Sequence, residues 1–476
     1  MAAVNRFLEA IMRGAKALGA SHRWKVLGVG VAANASFAAA FSGIPATAVW
    51  IRSDYRIDTG ALGLLLGMLG LGIVLSELPW GLLTDRWGDR RVLLTGLGST
   101  AAALVAMTAW CVPDAAHVPG SHALGAGFLA IGLLGGSVNG SSGRAVMAWF
   151  GPAERGLAMS IRQTAVPAGA GVGALILPAL AAHAGFAWVY GTLAAMCILS
   201  VILTIGWVRE AEESTPRAPA RAGQHEVPRA HSPLRSAQVW RVASGIAALC
   251  MPQVAVISFA SVFLHDFGHA GSAATGAALF AVQFGAACMR VWSGRWTDRR
   301  GNRNAYLRAC AALSVTLFAL LAATTALFAH AGRFVHAGRF VHALPMLGDG
   351  RIALVALLVL GGIAASAWHG VAFTELATLA GQDRVGTALA MGNTGAFLAF
   401  WLAPSAIPLL LSVLGWPAVW LAAAACAALA WPAFARASCP SEANVATVAL
   451  SHWPKGNASA GAAGRPSPHA ALSDIR

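Results

Sequence analysis

Charge is scarce in this chain. Only 11% of its 476 residues are Asp, Glu, Lys or Arg, which excludes a water-soluble globule, whose surface needs about a quarter of its residues charged. Cysteine supplies no framework either. Cys111, Cys197, Cys250, Cys288, Cys310, Cys426 and Cys439 stand singly, mostly inside apolar runs, with no Cys-x-x-Cys pair. That excludes a disulfide scaffold or a thiolate zinc site and leaves them as small apolar residues. There is no Gly-rich phosphate loop, zinc-type histidine spacing or nucleophile elbow. Hydrolysis therefore has no motif to rest on, no cofactor or metal is expected, and the chain does not read as an enzyme.

What is present is apolar: 57% of the residues, with a mean hydropathy of +0.64. The bilayer must be the solvent. Lys and Arg outnumber Asp and Glu by 33 to 19, yet the basic residues recur along the chain instead of forming a basic domain, which argues for topology and against nucleic acid. They gather in the N-terminal segment (Arg6, Arg13, Lys16, Arg23, Lys25) and near the middle (Arg209, Arg217, Arg221, Arg229, Arg235), which puts both stretches in the cytoplasm. The basic N-terminus is longer than a secretory n-region, so no cleaved signal is expected.

A membrane span needs about 20 apolar residues, and twelve runs qualify. They lie near 26–50, 60–80, 92–112, 123–149, 157–181 and 186–208, then 240–264, 271–292, 305–328, 351–376, 385–413 and 416–435. The expected organisation is a cytoplasmic segment 1–25, a six-helix bundle 26–208, a flexible cytoplasmic linker 209–238 rich in Pro, Arg and Ala, a second bundle 239–435 and a disordered cytoplasmic tail 436–476. Residues 331–342 repeat Ala-Gly-Arg-Phe-Val-His in tandem, most simply a local duplication in an external loop.

Two turns, 213 residues apart, punctuate these runs. Gly81-Leu82-Leu83-Thr84-Asp85-Arg86-Trp87-Gly88-Asp89-Arg90-Arg91 follows the second span, and Gly294-Arg295-Trp296-Thr297-Asp298-Arg299-Arg300-Gly301 follows the eighth. The glycines let helices approach closely, an aspartate suits a helix N-terminus, and the arginines stay in the cytoplasm. A second pair of loops supports the duplication: Glu154-Arg155-Gly156 after the fourth span and Asp383-Arg384-Val385-Gly386 after the tenth.

The paired turns resemble the signature loop of the major facilitator superfamily, with the weaker copy between the eighth and ninth helices. The resemblance runs from about Val26 to Ala435. It implies an all-α membrane protein of two six-helix bundles with both termini cytoplasmic, working as a monomeric, multi-pass carrier in the inner membrane. In that family acid–arginine pairs partner the turn. Asp85, Arg86, Glu154 and Arg155, with Gly81, Gly88, Asp298 and Arg299, are therefore expected to form a latch favouring the outward-open state; ordinary capping and snorkelling charges are the other reading.

Charges inside spans are costly and so are usually interior and functional. Arg290, four residues before Gly294 and one heptad after Gln283, resembles the arginine that holds the substrate carboxylate in the monocarboxylate and oxalate–formate porters of the superfamily. A guanidinium offers a carboxylate a permanent charge and a bidentate fork. The chain departs from those porters in lacking a lysine in the first or eleventh span and an acid within the eighth, so Arg290 either binds substrate or marks a boundary. Arg144 shares a face with Ser137, Gly140 and Ser141 and divides equally between cavity and structural roles; Arg162 reads as its equally shallow counterpart. Asn34, Gln253 and Asn393 lie on helices that, by the resemblance, line the pathway, and hydrogen-bond either substrate or merely neighbouring helices; His369 is either a protonatable gate or a packing residue. Glu77, placed near a helix end, reads as topology or latch, with proton carriage as the alternative.

The fifth span, Gln163-Thr164-Ala165-Val166-Pro167, lacks the Gly-Pro-x-x-Gly-Gly pattern of drug–proton antiporters of the superfamily. The reading that follows is proton-coupled uptake of a small organic anion by alternating access. Efflux of an amphiphilic toxicant and a non-transporting sensor of the same fold are the alternatives.

Overall fold

The computed structural model describes residues 21–114, 117–209, 232–270, 272–336 and 344–434. Most of the expected segment 1–25, most of the linker 209–238 and the tail lie outside the described residues. Among the described residues, twelve helices are long and apolar enough to cross a membrane. In the first half they are α1 (His22–Ala46), α2 (Ala61–Trp87), α3 (Asp89–Trp110), α4 (Ser121–Trp149), α5 (Arg155–His183) and α6 (Phe186–Trp207). In the second they are α7 (Ala237–His265), α8 (Ala274–Arg300), α9 (Arg303–His330), α10 (Arg351–Ala380), α11 (Val385–Leu414) and α12 (Trp416–Ala433). Helices satisfy their own backbone groups, which is why a chain dissolved in lipid adopts them.

Each half has its own apolar core. Leu104, Phe128, Phe186, Val189 and Tyr190 centre the first, and Phe263, Phe318, Trp368 and Trp420 the second. In the first half α1 packs on α5, α2 on α4 and α3 on α6. In the second, α9 packs on α12 and α7 on α11. The halves meet chiefly through α2 against α11 and α5 against α8.

Several boundaries differ from expectation. Helix α2 does not end near 80 but runs through the turn to Trp87; Gly88, at φ 88°, breaks it, and Gly301, at φ 63°, follows α8 in the same way. Only glycine adopts that left-handed backbone without strain. Helix α1 ends at Ala46 and a short helix Ala48–Asp54 follows. Near the far end of the first half the Tyr55 hydroxyl donates to the Cys111 carbonyl at 2.5 Å and meets the Tyr190 hydroxyl at 3.0 Å. Burial pushes the Tyr55 phenol above its usual range, so it keeps its proton. Of the tandem repeat, the first copy is not loop: the backbone helix begun at Arg303 continues to His336, and the second copy lies outside the described residues.

Two helices are interrupted. Helix α4 breaks at Gly136, between Ser121–Gly135 and Ser137–Trp149. Helix α10 breaks after Ser366 and resumes at His369. The carbonyls of that second break are met by side chains. Trp368 Nε1 donates to Ala365 O at 2.6 Å, Arg290 Nε to Ser366 O at 2.9 Å, and the Tyr306 hydroxyl to Ala367 O at 3.3 Å. A broken helix is tolerated at membrane depth when neighbouring side chains re-satisfy its backbone in this way.

Candidate functional site

The end of the molecule that carries the glycine turns is closed by two matching contacts. Asp85, near the end of α2, accepts from the backbone N–H of Gly386 at 2.7 Å and of Thr387 at 2.8 Å, and from the Thr387 hydroxyl. Asp298, near the end of α8, accepts from the N–H of Gly156 at 3.0 Å and of Leu157 at 2.9 Å. Each carboxylate therefore caps the first turn of a helix of the opposite half, where free N–H groups and the helix dipole favour negative charge. The backbones come close because the interface is built of glycine. A Cβ on Gly81 would collide with Gly386 and Ala390, one on Gly294 with Gly156 and Ser160, and one on Gly370 with Ser160.

The structure does not gather Asp85, Arg86, Glu154 and Arg155 into one cluster. Glu154 accepts both Arg23 amino groups, at 2.5 and 3.2 Å, tying the start of α1 to the loop before α5. Arg155 Nε donates to the Phe150 carbonyl at 2.9 Å, while Arg86 and Arg299 are exposed. Arg144 pairs with Asp89 at 3.0 Å, and α3 begins at Asp89, so this carboxylate lies at a helix boundary. That ion pair fits the structural half of its expected role.

Deeper in lies a layer of buried polar groups. Glu77 and Arg290 occupy matching places, each ten residues before the end of its helix, Trp87 and Arg300, about 15 Å along it at 1.5 Å per residue. Arg162, expected to be shallow, is 2% exposed and sits at the centre of a network. Its Nε donates to Ser142 Oγ at 3.0 Å, and its Nη2 to Asn34 Oδ1 at 3.2 Å and Asn139 O at 2.5 Å. Asn34 Nδ2 in turn donates to Ser142 Oγ at 2.8 Å, and Asn139 Nδ2 to Glu77 Oε1 at 2.5 Å. Asn393 of α11 approaches the same carboxyl from the other half.

The second half answers with Arg290, 3% exposed. Besides Ser366 O, it donates through Nη1 to the Gln163 carbonyl of α5 at 3.0 Å. His369 Nδ1 meets Ser366 O at 3.1 Å, and its ring stacks on Trp368 at 3.8 Å. Gln253 is buried and accepts from the Cys250 thiol at 3.9 Å. Gln283 is exposed and does not join Arg290, because the buried face of α8 runs through Val282, Ala286 and Arg290. On the side of this layer away from the turns, Phe37 and Phe41 of α1 meet Phe397 and Phe400 of α11, with ring centres 5.4 to 6.0 Å apart across the interface. A separate, mostly apolar groove of about 590 Å³ beside His269, Arg351 and Val355 contains none of these groups.

Arg162 was the residue that sequence reasoning missed as part of the site, although a signal existed. Glu77 and Arg290 both stand four residues before a turn glycine (Gly81, Gly294), and Gln163 and Asn393 both stand seven residues after a loop glycine (Gly156, Gly386). Carried through, this register puts Arg162 next to a layer position instead of at the boundary.

Comparison with known proteins agrees with the architecture. Residues 30–337 match the family model of the Major Facilitator Superfamily. An uncharacterised MFS-type transporter of Mycobacterium tuberculosis strain H37Rv is 29% identical over 408 residues, covering 84% of this chain and 82% of the relative. Another from strain CDC 1551 is 33% identical over 311 residues, 64% of this chain and 65% of that one. Among solved structures, the proton:xylose symporter XylE superposes with a TM-score of 0.65 at 14% identity, over 87% of this chain and 95% of that one. The human organic anion transporter MFSD10 gives 0.64 at 16% identity, over 87% and 99%.

Proposed function

The chain belongs to the major facilitator superfamily and is a multi-pass membrane transporter, not an enzyme, and from that premise we propose that it carries a small organic anion by alternating access, coupled to protons. The observation that carries the reading is a charge imbalance. Among the described residues, the buried polar layer holds two guanidiniums, Arg162 and Arg290, against one carboxylate, Glu77. Glu77 lies on the Arg162 side, hydrogen-bonded to Asn139, whose carbonyl also takes Arg162. Arg290 is left with backbone carbonyls, a histidine and the Cys250 thiol as its polar neighbours, and no carboxylate. An isolated charge in such a place is expensive unless paired. A substrate carboxylate is the natural partner, and a planar guanidinium is the group best shaped to take it.

In this reading the positive-inside bias puts the glycine turns in the cytoplasm of the cell, facing in from its inner membrane. The capping by Asp85 and Asp298 then closes the cytoplasmic side, and the structure stands for a carrier closed to the interior. Substrate enters from outside, past the Phe37–Phe397 aromatic contact, and reaches Arg290 between the halves, a location common to carriers built from repeats. Glu77 carries the coupling proton: it is the one carboxyl in the layer among the described residues, and Asn393 brings the opposite half to it. His369, stacked and hydrogen-bonded to its own helix, serves packing around Arg290.

The test is counterflow in proteoliposomes with labelled lactate, oxalate and formate as probes. Exchange of at least one is expected, with loss of binding in Arg290→Ala despite normal insertion. Glu77→Gln should keep exchange while abolishing uptake driven by a pH gradient. Wild-type carboxylate affinity in Arg290→Ala would remove that residue from the site, and resistance to hydrophobic toxicants without any anion exchange would favour efflux instead.

A further inference from the structure

In an α-helix the carbonyl of residue 163 accepts from the N–H of residue 167. Here that residue is Pro167, which has no N–H to give. The Gln163 carbonyl is thereby left open inside the interface between the halves, and the Arg290 guanidinium fills it at 3.0 Å. The same guanidinium reaches a second carbonyl without its helical donor, that of Ser366 at the interruption of α10, at 2.9 Å, beside His369 Nδ1 at 3.1 Å. One side chain thus closes two gaps in the backbone ladder, one in each half. The reach is short because α5 and α8 touch through Gly156 and Gly294, and α5 and α10 through Ser160 and Gly370.

We propose that Pro167 is a positioning residue of the anion site: by stripping the Gln163 carbonyl of its helical donor, it creates an internal acceptor that holds Arg290 in place and that an arriving carboxylate displaces. The role of the carboxylate rests on the reading of Arg290 given above; the hold of Pro167 on Arg290 does not. Two consequences follow. While no anion is bound, moving α5 away from α8 would leave a carbonyl and a guanidinium N–H unpartnered in a dry layer, so the empty carrier stays closed. When an anion takes the guanidinium, the link between α5 and α8 is given up in the same event, and binding and loosening of the interface become one step. The Gln163 carbonyl acts as the placeholder for the substrate.

The experiment needs no ligand. Spin labels are placed on cysteines at Ala153 and Arg295, exposed positions on the two sides of the α5–α8 contact, in full-length protein whose seven native cysteines have been replaced, reconstituted in lipid nanodiscs. Pro167→Ala restores the missing N–H. The population with separated labels should rise about tenfold, the scale of one hydrogen bond to a charged group. Pro167→Gly, which restores the same N–H with a more flexible helix, should act in the same direction. In an Arg290→Met background neither substitution should add anything, since there is no guanidinium left to release. An unchanged distance distribution, or the same shift with and without Arg290, would overturn the proposal and reduce Pro167 to an ordinary kink. Adding oxalate or lactate to the unmutated chain then tests displacement separately: a failure there with the ligand-free result intact counts against the anion reading and leaves Pro167's role standing.

Discussion

At the scale of single residues, Arg162 is a heavily committed side chain. Three acceptors from two other helices, Asn34 Oδ1, Ser142 Oγ and Asn139 O, depend on it, and it is the cation beside Glu77. Removing one member of a buried charge pair typically costs about 3–5 kcal/mol, because the other is left uncompensated. Arg162→Leu should therefore melt well below the unmutated protein in detergent, and Glu77→Gln in the same chain should recover part of the loss. An Arg162→Leu variant with unchanged melting would show that the network contributes nothing to the fold. Composition and periodicity pick out which residues are polar within apolar runs, and so Arg290, Asn34 and Glu77 could be named from the sequence. Their depth could not be read with the same accuracy. Ending the second span near residue 80 made Glu77 look like a boundary acid, whereas the helix extends to Trp87.

At the scale of helices, contact across the interface depends on the absence of side chains. Gly81, Gly294 and Gly370 have no space for a methyl group, whereas Gly28 of α1 has nothing within 4 Å of where its Cβ would be. Gly370→Ala must push α10 away from Ser160 on α5, and overpacking of this kind costs about 1–3 kcal/mol. We expect Gly370→Ala and Gly81→Ala to reduce transport by roughly tenfold or more on that energy scale, and Gly28→Ala to transport at the normal rate. Equal rates for all three would show that close approach of these helices is dispensable. From the sequence the turn glycines stood out by their repetition, but Gly370 lies inside an apolar run, 16 residues before Gly386 as Gly140 lies 16 before Gly156, and only the packing shows what it is for.

At the scale of the whole molecule, closure at one end is carried by two equivalent aspartates, each capping a helix of the other half. A charge at a helix N-terminus is worth about 0.3–1 kcal/mol when exposed and up to about 2 when partly buried. Neither contact alone should hold the halves together. A cysteine placed at Ala388, which is 0% exposed and one residue beyond the Thr387 that Asp85 caps, reports the opening through labelling by a membrane-impermeant maleimide. Asp85→Asn and Asp298→Asn should each speed labelling modestly, and the double variant should speed it by more than either. A double variant that labels no faster would remove these carboxylates from closure.

Reading the amino-acid order alone is enough to establish a chain dissolved in lipid, twelve crossings, a duplicated turn and a handful of polar residues where none are cheap. Those features follow from hydropathy and spacing, which are properties of one segment at a time. Which groups meet was decided only by tertiary structure. Asp85 reaches the first turn of α11, Glu154 turns to Arg23, Arg144 turns to Asp89, and Arg290 reaches an acceptor that a proline on another helix has left free. The rotation of each helix about its axis and its pairing across the two halves set those distances, and neither is a function of any single stretch of sequence.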